Sequence, residues 1–120
     1  MMADMRTREV ADRGAVVMRL VVLHVPGCPN APTLAARVAD VVAGRARVEQ
    51  RVVHDDREAA DLDMHGSPTL LVDGIDPFAR ADQPPGLSCR LYRDEAGALA
   101  GAPSLAQLRE VLFARGTREE

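Results

Sequence analysis

The chain is 120 residues long, enough for one domain around a single modest core. It is 47% hydrophobic yet has no Trp, one Tyr and two Phe, so that core must be aliphatic. Fifteen basic residues against eighteen acidic give a net charge of -3, and no arginine stripe forms that could track phosphates, which argues against a nucleic-acid partner.

Residues 1–18 are charged, lack a sustained period and contain Gly14; they read as a poorly ordered extension or a marginal helix. Charged residues from Arg6 to Arg13 interrupt any apolar leader, and Met18 offers a second possible start. No later apolar run approaches the roughly 20 residues that a membrane helix needs. The expectation is therefore no membrane partner and a cytoplasmic location, where thiols stay reduced and any disulfide is transient.

The first element is a strand over residues 20–24, Leu-Val-Val-Leu-His, whose continuous apolar character predicts burial on both faces. Pro26-Gly27 ends it, and Cys28 follows directly. A helix is expected over residues 32–43, with Leu34, Val38, Val41 and Val42 on one face and Gly44 stopping it. Residues 46–54 read as a more exposed strand, with Val48 and Val52 on one face. Asp55 with Glu58 three residues on is a capping-box pattern that opens a short helix to about residue 64.

His65-Gly66-Ser67-Pro68-Thr69 breaks that helix, and residues 70–72 form a short strand closed by a tight Asp73-Gly74 turn. Residues 75–86 hold three prolines and read as a long loop. Residues 87–93 alternate as a strand, with 96–101 as its hairpin partner, and Ser104 caps a last helix over 105–114 with Leu105, Leu108, Val111 and Leu112 inward. Residues 116–120 are expected to fray, leaving a domain over residues 19–115. This order predicts an α/β layer structure whose first part is a parallel βαβ unit, with a mixed four- to five-stranded sheet flanked by three helices.

Two residues carry the chemistry. Cys28 stands where a strand hands over to a helix, a position at which unpaired N–H groups and the helix dipole favour a thiolate; the competing reading is a small buried hydrophobe. Cys89 in a strand reads as an inert core residue, or as a second thiol that faces Cys28 and closes a reversible disulfide with it. The spacing of the two matches no Cys-x-x-Cys pattern for zinc or haem, so no cofactor is expected. No metal is expected either: Asp55, Asp56, Asp61 and Asp63 read as the solvent face of a capped helix. Of the three histidines, His65 is the best placed to sit beside Cys28, and Arg90 reads either as a solvated strand residue or as a partner for an anionic thiol.

Gly27-Cys28-Pro29-Asn30-Ala31, followed by Gly66-Ser67-Pro68-Thr69, resembles the thioredoxin-like superfamily, over about residues 19–114. The resemblance implies a thioredoxin-like fold, a cis peptide bond before Pro68, and Ser67 close to Cys28. It implies redox chemistry on a thiol or disulfide substrate at Cys28, and with it the residue readings give Cys28 and Cys89 as the expected reacting residues and His65, Ser67, Pro68 and Thr69 as the expected substrate-binding ones. Together with Val72-Asp73-Gly74 and Gly86-Leu87-Ser88-Cys89-Arg90-Leu91-Tyr92, the pattern is similar to a group of small bacterial proteins, some of which bear the name alkylmercury lyase. Organomercurial cleavage by Cys28, Cys89 and an acid such as Asp73 is therefore an alternative activity, and a non-catalytic binding module is another. One departure from thioredoxin matters: the second cysteine of the usual C-x-x-C is Ala31, so a resolving thiol must come from Cys89 or from another molecule.

Overall fold

Strand β1 (Leu20–His24) lies at the centre of the architecture, and its apolar run explains why. Side chains alternate across a strand. Leu20 and Val22 enter one core cluster, while Val21 and Leu23 enter another on the opposite face of the sheet. β2 (Val48–Val52) runs parallel to β1, with Leu20 opposite Val48 and His24 opposite Val52. β4 (Thr69–Val72) runs antiparallel to it on the other side, with Leu20 opposite Val72 and Leu23 opposite Thr69. The sheet order is β2-β1-β4. The computed structural model describes residues 18–117, so the expected extension and the last three residues lie outside the described residues.

Helices α1 (Asn30–Val42) and α3 (Leu105–Thr117) cover the first face. Leu34, Val38, Val41 and Val42 from α1 meet Leu70 and Val72 from β4 and Leu108 and Leu112 from α3. α1 begins two residues before the expected start, and it ends at Ala43, which sits at φ 51 and donates its N–H to the Ala39 carbonyl. α3 is capped reciprocally: the Gln107 N–H donates to Ser104 Oγ, and the Ser104 N–H to Gln107 Oε1. The helix continues three residues past the expected 114.

On the second face the short helix α2 (Asp56–Leu62) presents Ala59 beside Met64, Val53 and Leu71. Asp55 accepts from the Glu58 N–H at 2.8 Å, and Glu58 reaches back to the His54 N–H at 3.0 Å, as the sequence pattern predicts. The buried residue beside β2 is Val53, while Val52 is 38% exposed.

The other strands do not join the central sheet as expected. β3 (His65–Ser67) pairs in parallel with β5 (Gly86–Cys89), and β6 (Tyr92–Arg93) pairs antiparallel with β7 (Leu99–Ala100). The sheet of four to five strands is therefore a three-stranded mixed sheet beside two two-stranded ladders. Proline accounts for the break. Pro68 has no N–H to give a ladder and separates β3 from β4. The following loop carries Pro77, Pro84 and Pro85, and its chain returns beside β3.

Candidate functional site

Cys28 is presented by a turn that the sequence encodes locally. The Cys28 N–H donates to the Val25 carbonyl at 3.2 Å, and Gly27 has φ 75. Pro then Gly at the two central positions, with positive φ at the second, is the type II pattern. Pro29 occupies the cap of α1 with no side-chain hydrogen bond, and the first turn holds no acidic residue. The thiol thus stands just ahead of a helix end whose N–H groups no side chain satisfies. Cys28 is half-buried and packs against the first core cluster. Next to it, a Cβ on Gly101 would collide with the Asn30 side chain, so the chain before α3 closes over the start of α1.

The Ser67-Pro68 peptide bond is cis, the geometry the resemblance implies. Ser67 is 2% exposed, and its Oγ accepts from the Val25 N–H at 3.0 Å, which ties it to the turn of Cys28. Thr69 is fully buried; its hydroxyl donates to the Gly66 carbonyl at 2.7 Å and accepts from the His65 N–H at 3.3 Å. Pro68 is buried as well. These hydroxyls therefore engage neighbouring peptide groups.

The remaining candidates lie as follows. Cys89 is exposed, not in the core, and stands in register with Ser67 across the β3–β5 ladder. Both cysteines are free. His65 turns its Nε2 to Asp63 Oδ1 at 3.1 Å, while its Nδ1 is buried without a hydrogen-bond partner among the described residues. Asp73 sits in the turn between Val72 and Ile75 at φ 53, where its Oδ1 accepts from the Arg19 N–H at 2.8 Å. That is the start of β1, whereas Cys28 follows its end. No group of three or more potential metal ligands occurs among the described residues. No helix among them is long and apolar enough to cross a membrane. A groove of about 320 Å³, lined by Val21, Leu23 and Leu71 and rimmed by charged residues such as Arg19, Glu49 and Arg51, opens on the second face, away from the core cluster that Cys28 joins.

Sequence reasoning missed the buried polar cluster beside this loop. Arg90 is neither solvated nor turned to a ligand: its Nη1 donates to Asp76 Oδ2 at 2.6 Å and to Thr69 Oγ1 at 3.2 Å, and its Nη2 donates to the Phe78 carbonyl at 2.9 Å. The two charged side chains are 2% and 1% exposed. The guanidinium lies 4.6 Å from the centre of the Tyr92 ring, and Phe78 meets that ring edge-on at 5.7 Å. The Tyr92 hydroxyl donates to the Pro68 carbonyl. Burial is the main cause that holds the Tyr92 phenol's pKa well above its ordinary value; the Arg90 charge opposes the shift, and the charges of Asp76 and of a Cys28 thiolate add to it. The only sequence signal was a polar residue at every second position, Ser88, Arg90 and Tyr92, set against the apolar alternation of Leu87 and Leu91.

No known family model matches the chain, and no curated protein matches it.

Proposed function

We propose that the chain is a thioredoxin-like thiol protein that carries out thiol–disulfide exchange through Cys28, in a compartment such as the cytoplasm that keeps thiols reduced. The observation that carries this reading is the half-buried Cys28 on a type II turn, directly before a helix with no side-chain cap. The positive end of a helix dipole favours an anionic nucleophile placed before it. The cis bond before Pro68 and the antiparallel β4 that follows it support the same reading.

In the reaction, the Cys28 thiolate attacks one sulfur of a disulfide, a new S–S bond forms as the old one breaks, and the other half leaves as a thiolate that takes a proton from water. With Ala31 in place of a second cysteine, a further thiol must attack the mixed disulfide to release Cys28. A small-molecule thiol does so directly, leaving with the substrate half as a mixed disulfide. Attack by Cys89, which stands in register with Ser67 one strand away, instead expels the substrate half as a thiol and leaves a Cys28–Cys89 disulfide that two further small-molecule thiols must reduce. Organomercurial cleavage gains no support from the geometry, since Asp73 belongs to the opposite end of β1.

Incubation with glutathione disulfide, read by intact and peptide mass spectrometry, tests the proposal. A glutathione adduct on Cys28 in the wild type and in Cys89→Ser, and its absence from Cys28→Ser, is the expected result. Absence of any Cys28 adduct would leave a binding module as the better description.

A further inference from the structure

The turn that carries Cys28 is not held by its own residues alone. Val25, whose carbonyl accepts from the Cys28 N–H, gives its own N–H to Ser67 Oγ at 3.0 Å. From the other side the Arg90 N–H donates to the Ser67 carbonyl at 3.0 Å, and the Tyr92 hydroxyl donates to the Pro68 carbonyl. Ser67 and Pro68 are thus held between the turn of the thiol and the Arg90–Tyr92 segment.

That segment is itself fixed. The Arg90 fork spans Asp76, Thr69 and the Phe78 carbonyl, so one planar group joins the loop after β4 to the start of β4. Its face lies over Tyr92, which sets the direction of the hydroxyl toward Pro68. A buried ion pair adds little stability over apolar residues of equal volume, because both charges are desolvated. Its distinct contribution is directional: a planar fork with several bonded donors permits few orientations.

We propose that Arg90, Asp76 and Tyr92 are positioning residues for the chemistry of Cys28, fixing the buried Ser67-Pro68 step that in turn holds the turn of the thiol through the Val25 N–H. This rests on the thiol–disulfide reading above. None of the three touches the substrate; they act through the loop. A small alkylating reagent needs only the thiol, whereas a disulfide must also align its second sulfur in line with it, so a displaced turn separates the two reactions.

The test compares two reagents on the same protein, iodoacetamide and glutathione disulfide, each read as the rate of modification of the Cys28 peptide. In Tyr92→Phe, which keeps the ring and loses only the hydroxyl, alkylation is expected to stay within about twofold while glutathione transfer falls by about tenfold or more. Arg90→Lys, which keeps the charge and loses the fork, should show the same split. Equal losses with both reagents, or no loss with either, would overturn the proposal. A wild-type Cys28 that is alkylated but takes no glutathione would instead overturn the functional reading, before any variant is made. Should both variants unfold, amide exchange in the unsubstituted protein decides: Val25 and Arg90 are expected to be protected together, and exchange of Val25 about tenfold faster than Arg90 would show that no common brace holds them.

Discussion

The turn of Cys28 and the cluster around Arg90 lie on either side of the Ser67-Pro68 step, and they are built on opposite terms. Pro26, Gly27 and Pro29 are exposed, and the helix behind them has no side-chain cap. The Arg90 and Asp76 side chains are almost wholly buried and bonded to each other, to a hydroxyl and to backbone groups. A helix start without a side-chain cap leaves the positive end of its dipole open to an anionic nucleophile. Buried charges without partners are costly, so the support beside the thiol is closed where the thiol is open. On the proposed function the turn is where the reaction occurs and the cluster is what supports it.

The largest expected effect comes from removing one member of the buried pair. Arg90→Ala or Asp76→Ala strands a charge and should cost about 3–5 kcal/mol in urea denaturation followed by far-ultraviolet circular dichroism. The double variant Arg90→Met with Asp76→Leu should return to within about 1 kcal/mol of the wild type, since apolar side chains of similar volume replace the pair. Its Cys28 should nevertheless react slowly with glutathione disulfide. Full reactivity in a stable double variant would reduce the cluster to packing.

Gly66 is the next largest. It has φ 105, and a Cβ there would come within 2.9 Å of Arg90 Cβ and 3.0 Å of the Ser88 carbonyl oxygen. Gly66→Ala should therefore cost about 1–3 kcal/mol through strain and the widening of the β3–β5 ladder. A cost near zero would mean that the two strands do not approach so closely.

A smaller effect follows from Tyr92. Its pKa is raised in the folded protein, chiefly by burial, so the folded chain keeps a proton that the unfolded chain releases near the ordinary value of 10.0. The associated stability is complete below that value and declines as pH rises above it. Between pH 10 and 11 the wild type should lose about 1 kcal/mol more than Tyr92→Phe. Parallel losses in the two proteins would show that the phenol is not buried as described.

Much of the fold was legible because its signals are local. The run from Leu20 to Leu23 required burial on two faces, and Asp55 with Glu58 marked a helix start that hydrogen bonds now define. Asp73-Gly74 formed the expected tight turn, with both residues at positive φ. The inward leucines of α3 also matched, whereas the single strand expected over residues 87–93 is split: β5 pairs with β3, and only Tyr92–Arg93 forms a hairpin with Leu99–Ala100.

What was not legible depends on distant partners. Residues 87–92 alternate in either phase, and apolar counting turns Leu91 inward; in the fold Leu91 is 58% exposed while Arg90 and Tyr92 are buried. The deciding partner is Asp76, a lone acid in a proline-rich loop that no local pattern marks for burial. Cys89 is exposed beside Arg90, as is Ser88, so the alternation of β5 does not carry through to Arg90. The number of strands in the sheet was likewise set by where the chain returns after that loop.

The two thiols provide the most direct measurement. Exposure alone ranks Cys89 above the half-buried Cys28. In one sample of wild-type protein treated with limiting glutathione disulfide, peptide mass spectrometry should find the adduct on Cys28 forming about tenfold faster than on Cys89, as a helix-start thiolate requires. Faster modification of Cys89, in the order that accessibility dictates, would contradict the assignment of Cys28 as the reacting thiol.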